Sequence, residues 1–108
     1  MPTLRNKKRY VLYGVVSKNS SIDEKLVFKE IKNMSLRFLG EAGFIKSGIK
    51  VLSETWNPKL ARGIISTNHQ FVDHIRAMLM MMHKVGEKEI IIKTIKTSGL
   101  INKLQKIK

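Results

Sequence analysis

Apolar residues recur along this chain with two periods, and the switches between them mark its elements. Over residues 9–17 both alternating sets are apolar: Tyr10, Leu12 and Val16 on one face, Val11, Tyr13 and Val15 on the other. A strand of that kind is central and covered on both sides. After a loop at Asn19, Ser20 and Ser21 the period lengthens. Val27, Ile31, Met34 and Phe38, spaced by 4, 3 and 4, predict the core stripe of a helix, with Lys25, Lys29 and Lys32 opposite. Ser21 with Glu24 matches a capping box at its start. Gly40 is placed to end it in a left-handed cap, and Gly43 and Gly48 bracket a turn.

Ile49 to Thr55 then alternates Ile49, Val51 and Ser53 against Lys50, Leu52 and Glu54, which predicts a strand. Trp56 to Lys59, with Pro58, reads as a turn, and Leu60 to Thr67 as the second strand of a hairpin. Thr67 or Asn68 can cap a second helix over residues 69–85, with Phe71, Ile75, Met78 and Met82 as its stripe and Gly86 ending it. Glu89 to Thr97 predicts a fourth strand. Ser98 and Gly99 lead into a short helix whose apolar positions are Leu100, Leu104 and Ile107.

The order β-α-β-β-α-β plus a terminal helix predicts an α+β, ferredoxin-like (RRM-like) sandwich. Two helices cover one face of a four-stranded antiparallel sheet, in one domain spanning residues 1–108. The doubly apolar first strand requires a cover for the other face as well. The last helix or a partner protein would serve, and both readings stay open.

Composition narrows the class. A chain of 108 residues, 43% hydrophobic, supports one modest core. It has no cysteine, which excludes disulfides and zinc-thiolate sites and fits a reducing compartment. No apolar run reaches the roughly 20 residues of a membrane span. The segment Met1 to Lys8 lacks a signal-peptide core. A cytoplasmic protein that does not enter membranes is expected.

Charge sharpens the picture. Residues 1–18 hold Arg5, Lys7, Lys8, Arg9 and Lys18 with no acid, and residues 93–108 hold Lys93, Lys96, Lys103, Lys106 and Lys108, again with none. These ends carry 10 of the formal charge of +13, and residues 19–92 only +3. Charge segregated in this way attracts a polyanion and gains from counterion release, which points to nucleic acid.

No catalytic constellation accompanies it. His69, His74 and His83 lack the i, i+4 spacing of helical metal ligands, so no metal and no cofactor of the protein itself is expected. No glycine-rich phosphate loop occurs, and Asp23, Glu24, Glu30 and Asp73 read as helix surface or cap charges, no pair of which suggests a metal-bound nuclease site. The base-stacking signature of RNA-binding sheets is at most half present, since Tyr10 and Tyr13 lie on the first strand and residues 60–67 hold no aromatic. RNA contact would therefore rest on phosphates and shape. Arg62, beside Gly63 where a bulge or a close approach by another backbone is expected, could offer its planar fork to phosphate or stand as a strand-edge arginine. At 3.6 residues per turn Met80 lies opposite the core stripe, and Met81 lies beside His74 and Ala77. Leu36 falls among the lysines of the first helix. These four, Leu36, Ala77, Met80 and Met81, are candidates for a protein contact, or else a mildly apolar surface.

Three ordered segments carry a family resemblance. They are Leu4-Arg5-x-Lys7-x-Arg9-Tyr10; Arg62-Gly63-Ile64-Ile65 with Asn68-His69, Val72-Asp73 and Arg76-Ala77; and Thr97-Ser98-Gly99-Leu100-Ile101-x-Lys103. Together they resemble the small ferredoxin-like protein subunit of archaeal ribonuclease P, which has a eukaryotic counterpart. The resemblance implies a non-catalytic subunit of the ribonucleoprotein that removes the 5′ leader from precursor tRNA. The RNA subunit would carry catalysis and its Mg2+ ions. This chain would bind the catalytic domain of that RNA, meet precursor tRNA only indirectly, and pair with a TIM-barrel-like protein subunit in a heterotetramer, with self-association as a further option. The RNA-contact candidates are Arg5, Lys7, Lys8, Arg9, Arg62, His69, Lys93, Lys96, Lys103 and Lys106. Another RNA-binding protein of this fold, such as a ribosomal protein, shares the charge argument. A small-ligand regulatory domain has no need of a charge of +13.

Overall fold

The computed structural model describes residues 7–17, 22–85 and 88–107, with Lys84, Val85, Lys88, Lys106 and Ile107 described in backbone only. Its elements are β1 (Lys8–Ser17), α1 (Glu24–Ser47), β2 (Lys50–Asn57), β3 (Arg62–Asn68), a 3-10 turn (His69–Phe71), α2 (Val72–Met81), β4 (Lys84–Val85), β5 (Lys88–Ser98) and α3 (Ile101–Ile107). The sheet is antiparallel in the order β2-β3-β1-β5-β4. The four long strands have the split βαβ arrangement that the sequence predicts. The two-residue β4 is an addition, pairing Lys84 with Glu89 and Val85 with Lys88.

β1 is central, as its doubly apolar pattern requires, and its two faces feed two cores. Val11, Tyr13 and Val15 pack with Val27 and Ile31 of α1, Ile75, Met78 and Leu79 of α2, Ile65 of β3, and Ile90 and Ile92 of β5. On the other face Leu12 and Ile64 lie under Leu104 of α3, with Tyr10, Leu52 and Ile101 around them. The last helix therefore supplies the cover left open by the sequence. It covers one end of that face only: Val16 and Ile91, register partners further along, are 54% and 59% exposed.

Several boundaries differ from the pattern reading. Asp23, not Ser21, caps α1, its carboxylate accepting the Lys25 N–H at 3.0 Å. Ser21, Lys18 and Gly86 lie outside the described residues. The helix does not stop at Gly40. The chain kinks there at φ 73°, ψ 170°, resumes through Gly43, and ends at Gly48 in the left-handed region, φ 59°. The kink takes Phe38 off the core, leaving it 38% exposed, while Ser35 becomes fully buried below Ile31. Ser35 is tolerated there because its hydroxyl donates to the Lys32 carbonyl at 2.7 Å.

β2 runs on through Trp56, placed by the sequence reading in a turn. The indole packs edge-on to Phe28, with centroids 5.6 Å apart, and 6.2 Å from Tyr13. Burial of that ring prolongs the strand. The turn instead forms at Asn57, whose side chain accepts the N–H groups of Lys59 and Leu60. Between Leu52 and Asn57 the β2–β3 register shifts. The buried Thr55 hydroxyl fills that gap, donating to the Leu52 carbonyl at 2.6 Å and accepting the Ile64 N–H at 3.1 Å.

Thr67 and Asn68, expected to cap the second helix, act on the first. Thr67 donates to the Ser47 carbonyl at 2.8 Å and Asn68 Nδ2 to the Lys46 carbonyl at 2.6 Å. They satisfy carbonyls that a helix C-terminus leaves unpaired and fasten it to the end of β3. The second helix starts instead through the 3-10 turn and ends at Met81, well before residue 85, because the chain turns there into the β4–β5 hairpin. In α3, Leu100 is 59% exposed and Leu104 fully buried. The buried stripe is thus Ile101 with Leu104, since the helix begins one residue after Leu100.

Candidate nucleic-acid interface

The sheet gathers the basic candidates into two groups. The first is at the start of β1, where Lys8 is opposite Asn68 and Arg9 opposite Thr67. The His69 N–H donates to the Lys7 carbonyl at 2.8 Å, so His69 joins Lys7, Lys8 and Arg9 although more than 50 residues separate them in sequence. Lys7, Lys8 and His69 are exposed. The Arg9 guanidinium reaches across to Gly99, where a Cβ would stand 3.0 Å from its Nη1. The Ser-Gly junction ahead of α3 therefore belongs to this basic corner, and Gly99 leaves room for the arginine. Lys96, opposite Leu12 and exposed, stands next along β5. Lys103 is exposed on α3.

The second group flanks Gly14. Arg62 is its register partner on β3 and Lys93 its partner on β5. Residues directly opposite share a face, so Arg62 and Lys93 stand about 10 Å apart across two strand spacings. The absent side chain of Gly14 is covered by neighbours: a Cβ there would meet Ile95 Cδ1 at 3.1 Å and Arg62 Cγ at 3.6 Å. The stem of Arg62 thus lies over the β1 backbone. From Lys8 to Gly14 is six residues, about 20 Å along the strand, which separates the two groups.

Arg76 appears in the sequence only within a family segment, with no contact role of its own. Arg76 of α2 lines, with Met80, Ile91, Ile92, Lys93 and Thr94, a groove of about 460 Å³ along β5. Nothing in the local sequence relates Arg76 to Lys93; the packing of α2 against β5 does. Arg5 lies outside the described residues, as does the side chain of Lys106. Of the protein-contact candidates, Met80 and Met81 are 79% and 55% exposed, Ala77 is exposed, and Leu36 is half-buried.

Gly63, expected to admit a close approach, admits an aromatic side chain rather than another backbone: the Tyr13 hydroxyl occupies its Cβ space. That hydroxyl and the Thr94 hydroxyl are buried without a hydrogen-bond partner. Burial pushes the Tyr13 phenol well above its ordinary pKa. Among the described residues no group of three or more His, Asp or Glu stands where it could hold a metal ion, and no helix is long and apolar enough to cross a membrane.

These features define a class: a basic ferredoxin-like protein whose sheet carries helices on one face and a short C-terminal helix on part of the other. The chain belongs to the Rpp14/Pop5 family, whose profile matches residues 9–107. Among its relatives are proteins called ribonuclease P protein component 2. That of Pyrococcus abyssi is 34% identical, covering 97% of this chain and 86% of the relative. Those of Methanobrevibacter smithii and Archaeoglobus fulgidus are 31% and 28% identical, each covering 97% of this chain and 91% of the relative. A chain in the cryo-EM structure of yeast ribonuclease MRP has the same fold, with a TM-score of 0.64 and 12% identity over 91% of this chain and 78% of that one. The family resemblance read from the three sequence segments is thereby borne out.

Proposed function

We propose that this chain serves as a non-catalytic protein subunit of ribonuclease P, binding and supporting the catalytic domain of its RNA. The observation that carries the reading is the corner where Lys7, Lys8, Arg9 and His69 meet, in a chain whose acid-free ends hold most of the net charge. Clustered cations track phosphate groups and release their counterions. Membership of a family whose relatives are called ribonuclease P protein component 2 supports the RNA of that ribonucleoprotein as the target. Arg62 and Lys93, about 20 Å along β1 from the corner, would engage a second stretch of the same backbone. Tyr10 is half-buried beside α3, which favours contact through phosphates over base stacking on this face. The Mg2+ ions of the reaction belong, in this reading, to the RNA. Met80, Met81, Ala77 and Leu36 are the surface offered to a TIM-barrel-like partner subunit.

The test is precursor-tRNA cleavage by the cognate ribonuclease P RNA at low magnesium, with the partner subunit present. Addition of this chain is expected to raise the rate. An unchanged rate with correctly folded RNA would overturn the assignment.

A further inference from the structure

The sheet ends on one side at β2, and among the described residues nothing pairs with its outer edge. Such an edge presents a row of backbone N–H and C=O groups. Beside it runs a groove of about 560 Å³ between α1 and β2, within the size range of ligand sites. Its lining is apolar at Phe28, Ile31, Phe44, Ile49 and Val51, with the buried Ser35 turned to its own helix. Lys29, Lys32 and Lys50 complete the lining, all three exposed, and no carboxylate is among the lining residues. The acid between those lysines on α1, Glu30, is already paired with Arg37 at 3.3 Å.

We infer that this groove receives an extended, acidic and apolar peptide segment of a partner protein, which adds to the free edge of β2 as a further strand. Strand addition draws affinity from main-chain hydrogen bonds and specificity from alternate side chains. Here one set of side chains would enter the Phe28–Phe44–Val51 floor on the α1 side, and the acidic set, on the opposite face of the added strand, would meet Lys50, while Lys29 and Lys32 add to the positive field over the groove. The apolar floor argues against nucleic acid, and the groove is distinct from the cations at Lys7 and Arg62. The ends of this chain do not fit either: residues 1–18 and 93–108 contain no acid. A second copy would bring another charge of +13.

The test uses the full chain and a short fluorescent peptide alternating Glu with Val. A peptide alternating Lys with Val and an oligouridylate of equal negative charge serve as controls. The acidic peptide is expected to bind and to slow hydrogen exchange at the amides of residues 50–53. Its Kd should rise about tenfold in K29E/K32E/K50E, whose circular dichroism should match the parent because all three side chains are exposed. Absence of binding, binding without protection of the β2 amides, or equal binding by the Lys peptide would overturn the inference. Displacement by oligouridylate would overturn it in favour of a nucleic-acid groove. The exchange measurement on the unaltered chain decides the matter even if the triple variant unfolds.

Discussion

Tyr13 and Gly63 face each other across the β1–β3 ladder, and the tyrosine hydroxyl stands 2.7 Å from where a Cβ on Gly63 would be. The ring carbon bearing the hydroxyl is 2.9 Å from the same point, and Trp56 closes the other side at 3.1 Å. The glycine is therefore a packing requirement at the centre of the main core. Gly63→Ala should destabilise the protein by about 1–3 kcal/mol, the usual cost of overpacking. Urea unfolding monitored by Trp56 fluorescence measures it, and Tyr13→Phe should return only part of the loss, since the ring carbon still obstructs.

The same hydroxyl gives the protein a pH signature. Burial favours the neutral phenol, so the folded-state pKa is raised above the unfolded value of about 10. A raised pKa means that the folded state holds its proton more tightly. This contribution is fully present below pH 10 and is lost as the pH rises above it. The slope approaches about 1.4 kcal/mol per pH unit. The melting temperature should fall more steeply above pH 10 in the parent than in Tyr13→Phe. Coincident curves would show that Tyr13 ionises without cost.

Gly40 separates backbone strain from packing. No atom lies within 4 Å of a Cβ built there, yet its φ of 73° with ψ of 170° is a conformation that other residues rarely adopt. Gly40→Ala should cost about 1–3 kcal/mol in thermal or urea unfolding through the backbone alone. A neutral result would mean that the two parts of α1 can join as one straight helix.

Leu104 holds α3 on the sheet. It is fully buried over Leu12 and Ile64, so Leu104→Ala should cost about 2–5 kcal/mol. Dye binding to exposed apolar surface should rise if the helix lifts and uncovers Leu12 and Ile64. A small loss without dye binding would mean that α3 settles into the gap.

For the RNA reading, reversing the charge of Lys7, Lys8 and Arg9 together should weaken RNA binding. Loss of that many phosphate contacts should also flatten the dependence of log K on log salt by about 2–3. Titration at several salt concentrations measures this, and an unchanged slope removes the segment from the interface.

Periodicity together with turn residues determined the order of the four long strands and the three helices, the central place of β1, the core stripe of α2 and hence the fold class, because those features follow from local repeats of two and of 3.6 residues and their local stops. The acid-free ends and the family segments were equally legible, being properties of the chain read in order. Tertiary structure decided the rest. Asn68 and Thr67 carry the same capping chemistry whichever helix they serve, and only the approach of β3 to Lys46 and Ser47 directs them to the end of α1. Gly40 looks like a helix stop locally, and the packing of Leu39 and Ile49 on the same core carries α1 past it. The meeting of His69 with Lys7, of Arg62 with Lys93 across Gly14, and of Tyr13 with Gly63 depends on strand register. Register is a relation between distant segments, settled by which side chains fill the shared core, and no local pattern contains it.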